Sequence, residues 1–176
     1  MGETYRNQNH EFEQKLIDLA RVTRVVKGGR RFRFRATMAI GNRRGKVGIG
    51  VAKGADVSSA ISKAFNKAKK SIVQVRIYQG TIPHLVRCKF KSARVLLKPA
   101  KKGRGIVVGG AVRSIVELAG ISDMSAKILK RGNKVNNAMA ALIGLASLKD
   151  FSKGKDNLNI RNKQNADSRT KTKKQV

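Results

Sequence analysis

Apolar and charged residues alternate with the period of a β-strand in the first part of the chain. Residues 21–27 (RVTRVVK) predict one strand, and residues 30–41 (RRFRFRATMAIG) predict a second. Gly28 and Gly29 lie between them and predict a two-residue turn, because glycine adopts positive φ at little cost. The pattern therefore predicts a β-hairpin.

The second strand of this hairpin has two chemically different faces. Its predicted core face carries Phe32, Phe34, Ala36, Met38 and Ile40. Its opposite face carries Arg31, Arg33, Arg35 and Thr37. Since side chains alternate across a strand, one face is expected to enter the core while the other presents a row of guanidinium groups.

A third strand is predicted at residues 46–52 (KVGIGVA), after a turn at residues 41–45. The side chains expected to point inward are those of Val47, Ile49 and Val51. Gly48 and Gly50 leave the opposite face bare, so another backbone can approach closely there.

Residues 56–72 (DVSSAISKAFNKAKKSI) give the clearest helical pattern, with Asp56 as the predicted N-cap. The predicted buried stripe consists of Val57, Ala60, Ile61, Ala64, Phe65, Ala68 and Ile72. A neighbouring face carries Lys63, Lys67 and Lys70, which either are solvated or contact phosphates. A three-stranded antiparallel sheet with this helix laid across it would close a first domain near residue 73.

The second half predicts a two-layer α/β domain. Its predicted strands are residues 74–79, 85–91 (with Val86, Cys88 and Phe90 inward), 94–98 and 121–130. One helix follows a glycine loop within residues 101–120, buries Val112, Ile115, Val116 and Ala119, and ends at Gly120. Another spans residues 134–146 and buries Val135, Ala138, Met139 and Leu142.

The ends of the chain differ from these two domains. Residues 11–20 (EFEQKLIDLA) place Phe12, Leu16 and Leu19 at helical spacing, which predicts a short acidic helix or a docking arm. The composition after Lys149 is polar and basic, which predicts a tail that is disordered when free. The predicted divisions are an arm at residues 1–20, domains at 21–73 and 74–149, and a tail at 150–176.

Charge changes the functional picture more than any single motif. The 176 residues contain 40 Lys and Arg against 10 Asp and Glu, a formal net charge of +30. Such a chain is expected to lie beside a dense polyanion, either nucleic acid or an anionic membrane surface. Its one cysteine excludes an internal disulfide, and no apolar run is long enough for a membrane span. We therefore expect a soluble protein of the cytoplasm or of an organelle.

The acidic residues are too sparse for most catalysis. Between Asp18 and Glu117 the only carboxylate is Asp56. Proton transfer and cation binding usually need converging carboxylates or histidines. His84 and Cys88 lie four residues apart, but no second pair completes a zinc site. We therefore expect no enzyme, no cofactor and no metal.

Two glycine patterns keep a nucleotide-binding enzyme as a minor alternative. Residues 48–54 and 103–109 both read G-x-G-x-x-x-G, one residue longer than the dinucleotide fingerprint. Asp123 stands 18 residues beyond Gly105, near the position of a ribose-binding acid. RNA phosphates bind at such loops and helix N-termini by the same physics, so the second loop stays of interest without catalysis.

Several long motifs follow one another in the chain. They are RVxRVVKGGRRFRF, GxxxGKVGxGxAKGxxV and SARVLLKPAxxGxGIxxGGAVRSIxELAGI, before a final Asn-rich helix. In this order and spacing they resemble the bacterial-type small-subunit ribosomal protein five family over residues 12–148. The chain departs from that family at Arg104, where Thr is usual, and at residues 132–136, which lack the usual proline.

The resemblance implies an α+β protein with a double-stranded-RNA-binding-like first domain. It implies a second, α/β domain with a left-handed βαβ crossover, where general handedness rules would give a right-handed one. It also implies a structural constituent of the small ribosomal subunit that binds 16S-type ribosomal RNA. The implied neighbours are small-subunit proteins four and eight. The implied position is near where messenger RNA enters, with residues 27–30 close to the spectinomycin site.

The residues themselves agree with recognition of folded RNA through phosphates and 2′-hydroxyl groups. The predicted RNA-binding residues are Arg21, Arg24, Lys27, Gly28, Gly29, Arg30, Arg31, Arg33, Arg35, Arg43, Arg44, Lys53, Lys63, Lys67, Lys70, Lys101, Lys102 and Arg104. Because Phe32, Phe34 and Phe65 are assigned to the core, no stacking platform for bases is expected. The alternative is a free-standing nucleic-acid chaperone or DNA-compacting protein, which would share the charge.

Overall fold

The computed structural model describes residues 12–130 and 132–149. In chain order the elements are β1 (Glu13–Val26), β2 (Gly29–Gly41), β3 (Lys46–Gly54), α1 (Val57–Lys70), β4 (Ile72–Gln74), β5 (Val86–Phe90), β6 (Ala93–Pro99), β7 (Ile106–Val107), α2 (Gly110–Ala119), β8 (Met124–Lys130) and α3 (Lys134–Ala146). They form two four-stranded sheets, ordered β1-β2-β3-β4 and β5-β6-β8-β7. The predicted α+β class is confirmed, with one more short strand in the first sheet than expected.

The segment predicted as a helix or arm near the N-terminus is a strand instead. β1 pairs with β2 along its whole length, from Glu13 opposite Gly41 to Val26 opposite Gly29. The register shifts between Leu16 and Asp18. This bulge puts Leu16 and Leu19 on one face although they are three residues apart, a spacing that mimics a helix. Residues 1–11 and 150–176, with the predicted tail, lie outside the described residues.

Helix α1 lies on the glycine face of β3, where the bare glycines predicted that another backbone could approach. A Cβ on Gly50 would lie 2.0 Å from the carbonyl oxygen of Ala64, and a Cβ on Gly48 would lie 2.6 Å from that of Ala68. Ala60, Ala64 and Ala68 are the fully buried residues of the helix. Small residues on both surfaces therefore let helix and sheet backbones meet. Asp56 occupies the N-cap position, but its side chain makes no capping hydrogen bond.

The opposite face of the first sheet packs against the second domain. Ala39, Val47 and Ile49 belong to the same buried cluster as the α2 and α3 side chains. Thr37, expected to face outward, is completely buried. The prediction failed because strand parity gives the face of a side chain and not what later covers that face. The part of the first sheet that contains these residues is thus a middle layer between α1 and the second domain.

The second domain follows the prediction except at its start and at β7, which lies where only a glycine loop and a helix were predicted. The expected strand at residues 74–79 is wrong, since β4 ends at Gln74 and the chain then crosses to the other sheet. Val75 anchors this crossing: it is buried, and its N–H donates to the carbonyl of Gly45 at 2.7 Å. This hydrogen bond to the β2-β3 turn takes the place of the strand pairing that was predicted for residues 74–79. After this point, Tyr78 and Thr81 form an isolated antiparallel β-bridge.

The β7-α2-β8 segment forms a parallel βαβ unit, because β7 pairs parallel with β8. The predicted core residues Val112, Ile115, Val116 and Ala119 are all fully buried. Gly120 ends α2 in the left-handed conformation, with φ 86°. In α3, Ala138 and Leu142 are buried, and Val135 and Met139 are half-buried. The handedness of the crossover stays a prediction.

No helix within the described residues is long and apolar enough to cross a membrane.

Candidate nucleic-acid interface

The β1-β2 hairpin and the neighbouring β3 bring four predicted RNA-binding residues onto one face, three from the hairpin and one from β3. Arg24 lies opposite Arg31 in the ladder, and residues directly opposite each other share a face. We call Arg24, Arg31, Arg33 and Lys53 the basic face. With Val22, Thr23 and Val26 they line a concavity of about 490 Å³. Each of the four is exposed, and none of the lining residues is acidic.

Arg35 follows Arg31 and Arg33 on the same face of β2, but it lies near the boundary with the second domain. It is half-buried, and its Nη2 lies 3.6 Å from a carboxylate oxygen of Asp18. The other carboxylate oxygen of Asp18 lies 3.4 Å from Lys134 Nζ at the start of α3. Asp18 therefore links the hairpin to α3 of the second domain through Lys134. Its contact with Arg35 lies within the hairpin, and Arg35 does not line the concavity.

The other face of the hairpin carries Arg21, and the prediction for its neighbour Phe32 is wrong. Phe32 is 46% exposed rather than part of the core. The guanidinium carbon of Arg21 lies 3.7 Å from the centroid of the Phe32 ring. Helix α1 covers the sheet only as far as Phe34, which is half-buried. Beyond that point the Phe32 ring is in contact with the guanidinium of Arg21 instead of the helix.

The hairpin tip is built from Lys27, Gly28, Gly29 and Arg30, all of them exposed. Val26 pairs with Gly29, so the two central residues of the turn are Lys27 and Gly28 rather than the glycine pair. Gly28 has φ 89°, and a Cβ there would meet nothing within 4 Å. Glycine is thus required at this turn for its backbone conformation and not for space.

The β2-β3 turn carries Arg43 and Arg44, of which the first is bound to a carboxylate and the second is exposed. Arg43 donates from Nε and Nη2 to the two carboxylate oxygens of Glu13, at 2.5 and 2.8 Å. This hydrogen bonding, with the charge of Arg43, holds the pKa of Glu13 below its usual value. The turn also docks on α2, because the N–H of Arg43 donates to the carbonyl of Leu118. Arg44 is exposed and remains available to a ligand.

Two further clusters of basic side chains, which we call basic groups, lie outside the hairpin. Lys63, Lys67 and Lys70 are exposed on α1, as predicted. Lys101, Lys102 and Arg104 are exposed in the glycine loop of the second domain. These groups extend the positive surface beyond the basic face.

The glycine loop is organised by its own aspartate. Asp123 is buried, and its Oδ1 accepts the N–H of Gly105 at 2.7 Å. The carboxylate expected at a ribose is therefore used to hold the loop, with Gly103 and Gly105 at positive φ. This contact removes the main support for a nucleotide site.

His84 and Cys88 take structural positions. His84 Nε2 accepts the N–H of Lys149, and the Cys88 thiol donates to the carbonyl of Val95. Burial raises the pKa of the Cys88 thiol, so the neutral form is favoured. Within the described ranges, no three His, Cys, Asp or Glu side chains come together as a metal site would require.

Sequence reasoning missed the carboxylates that join the two domains. Glu117 of α2 lies 2.6 Å from Lys15 of β1, and Asp18 contacts Lys134 of α3. Glu13 pairs instead within the first domain, with Arg43 of the turn that docks on α2. The scarcity of acidic residues was the available clue, since three of the 10 carboxylates lie near the boundary between the two domains. Without β1 as a strand, however, nothing placed them near α2 and α3.

Comparisons with known proteins agree with this architecture. The family model described as ribosomal protein S5, N-terminal domain, matches residues 12–76. The model described as ribosomal protein S5, C-terminal domain, matches residues 88–157.

Curated relatives match most of the chain. A protein named small ribosomal subunit protein uS5 from Campylobacter jejuni subsp. jejuni serotype O:23/36 (strain 81-176) is 49% identical over 139 residues, covering 79% of this chain and 95% of the relative. One with the same name from Thermotoga neapolitana is 47% identical over 143 residues, covering 81% of this chain and 80% of the relative. These matches confirm the predicted family and a structural rather than enzymatic protein. The chain belongs to the family of small ribosomal subunit protein uS5.

Proposed function

We propose that this protein binds small-subunit ribosomal RNA through phosphate contacts as a structural constituent of the subunit. The observation that carries the proposal is the basic face, where four exposed cations line one concavity without any carboxylate. Their charges have no acidic partner within the concavity. A phosphate backbone supplies the missing negative charge, and it releases counterions when it binds.

The geometry favours folded RNA over a particular base sequence. The cations are spread over the hairpin, α1 and the glycine loop, so they can follow a backbone but do not converge on one group. A-form RNA is recognised in this way, by shape, phosphates and 2′-hydroxyl groups.

We further propose a position for the protein in the subunit that rests on the family resemblance. The hairpin tip at residues 27–30 would lie near the spectinomycin site, and the protein would lie near where messenger RNA enters and support translational accuracy. The proposed neighbours are small-subunit proteins four and eight. The proposed compartment is the cytoplasm, with an organellar ribosome as the other possibility. The exposed hairpin tip supports this assignment, since it is free to reach RNA.

Salt titration with a charge variant tests the proposed phosphate contacts. Affinity for the organism's small-subunit ribosomal RNA should fall steeply with salt, with a log-log slope steeper than about −5 if the three basic groups bind together. Arg33→Ala should make this slope shallower by about 1 and leave thermal melting unchanged, because the side chain is exposed. Lys89→Ala, an exposed lysine of β5 outside the predicted interface, is the matched control and should change neither. A wild-type slope shallower than about −2 would contradict the proposal.

The same charge suits a free-standing nucleic-acid chaperone or DNA-compacting protein. Sedimentation of a lysate at high salt separates the two functions. A ribosomal constituent stays with small subunits, whereas a chaperone is released.

A further inference from the structure

The pairing of Arg21 with Phe32 is a flat, exposed stack on the face of the hairpin opposite the basic face. Thr23 lies opposite Phe32, and Arg21 lies opposite Phe34, so both members stand on the same side of the sheet. The guanidinium is 3.7 Å from the ring centroid, close enough for a cation-π contact. Nearly half of the Phe32 surface remains open. A buried aromatic ring would contribute to the core, whereas this one contributes a surface.

We propose that Arg21 and Phe32 form a binding site for one unpaired RNA base. This inference rests on the proposed function, because it requires RNA to lie along the hairpin. Proteins recognise unpaired bases by stacking them on aromatic rings or guanidinium planes. Every base has a π-face, so such a site selects an unpaired nucleotide rather than a particular base.

The surrounding charge favours a nucleotide over a protein partner. No carboxylate occurs in residues 19–55, which include the whole tip of the hairpin. Arg21 takes part in none of the ion pairs found among the described residues. Lys27 and Arg30 are exposed nearby. A base stacked on Phe32 brings its own phosphate, which these cations can neutralise.

The two faces of the hairpin then have different roles. The basic face is lined by cations and lacks an exposed aromatic ring, so it binds phosphates. The Arg21–Phe32 face also exposes Val25, which is 75% accessible and can contact a sugar or the edge of a base. The hairpin is thus suited to lie between a phosphate backbone on one side and an extrahelical nucleotide on the other.

A fluorescent RNA probe tests the stacking site in the full-length protein. The probe is an RNA duplex of about 20 base pairs with one bulged 2-aminopurine, and its control is the same duplex with the 2-aminopurine paired. The wild type should bind the bulged duplex about tenfold more tightly and quench its fluorescence. Phe32→Ala and Arg21→Lys should reduce this preference to under about twofold, since they remove the ring or the planar guanidinium.

Two variants serve as controls. Phe32→Tyr keeps an aromatic ring and should keep the preference. Arg24→Ala removes one positive charge from the basic face and should weaken binding to both duplexes equally. Thermal melting of each variant checks that the protein is folded.

The outcomes separate this inference from the proposed function. A preference that survives both Phe32→Ala and Arg21→Lys would overturn the stacking site, because the bulged nucleotide would then be recognised elsewhere on the protein. A wild type that binds both duplexes equally would also overturn it, while leaving phosphate binding intact. Failure to bind either duplex at low salt would overturn the proposed function and the stacking site together.

Discussion

The two halves of the β1-β2 hairpin have the same ladder but opposite environments. In the base half, every β2 residue from 36 to 41 is buried, because α1 covers one face and the second domain covers the other. In the tip half, residues 29–33 are all exposed. The pairing of β1 with β2 extends through both halves, with one register shift in the base half. Pairing therefore sets which residues share a face, and packing of other elements decides whether that face is a core or an interface.

The residues change where the environment changes. The base half of β2 reads ATMAIG, small and apolar, which fits a strand that is covered on both sides. The tip half reads GRRFR, in which three arginines surround one aromatic residue that α1 does not cover. A projecting hairpin of this kind cannot stabilise itself through a core, and its charged surface remains available to a ligand.

The largest expected difference comes from one added methyl group on a glycine, either at Gly50 of β3, which pairs with Met38 of the base half, or at Gly28 of the tip. Gly50→Ala should lower the free energy of unfolding by about 3 kcal/mol or more, because its Cβ would lie 2.0 Å from a backbone oxygen of α1. Gly28→Ala should cost only about 1 kcal/mol, since the tip has open space and only positive φ is strained. Urea unfolding of both variants measures the difference. Equal losses would contradict the division between a packed base and an open tip.

A second comparison truncates one apolar side chain in each half. Ile40 is fully buried, so Ile40→Ala should cost about 2 to 5 kcal/mol through lost burial and the cavity left behind. Phe32→Ala should cost less than about 1 kcal/mol, although it removes more atoms, because the ring is already exposed to water. Thermal and urea unfolding check both values. If Phe32→Ala were the more damaging change, the tip would be part of the core after all.

Local patterns predicted most of the fold correctly. The α1 and α2 helices have strong apolar periodicity, and all three helices appear where the sequence places them. The bare glycines of β3 correctly predicted a close backbone approach, because only a missing side chain permits it. The strand at 74–79 was wrong because alternation in a short segment does not reveal whether a partner strand lies beside it.

The candidate site was less accessible to sequence reasoning. Parity placed Arg31 and Arg33 on one face, and the ladder then brought Arg24 opposite Arg31. The exposure of Phe32 could not be deduced, since it depends on where α1 ends over the sheet. The contact of Asp123 with Gly105 also depends on tertiary folding, because 18 residues separate its two partners.

The smallest expected effect on stability comes from the ion pair between Glu13 and Arg43, at the end of the base half. Glu13 begins β1, and Arg43 in the β2-β3 turn donates two hydrogen bonds to it. Because this bonding lowers the pKa of Glu13 in the folded protein, its contribution to stability is complete above the unfolded value of 4.5. The contribution is then lost as the pH falls through the lowered folded value, where the carboxylate becomes protonated.

A double-mutant cycle of Glu13→Gln and Arg43→Gln isolates this contribution. Since both side chains are largely exposed, the coupling should be a small shift in the urea midpoint at about pH 7, and it should weaken in high salt. At about pH 2 the coupling should disappear, because protonated Glu13 no longer attracts the guanidinium as an ion. The tip half offers no equivalent pair, since residues 19–35 contain no carboxylate. A coupling that stayed constant from neutral to acid pH would show that the contact acts through packing and not through charge.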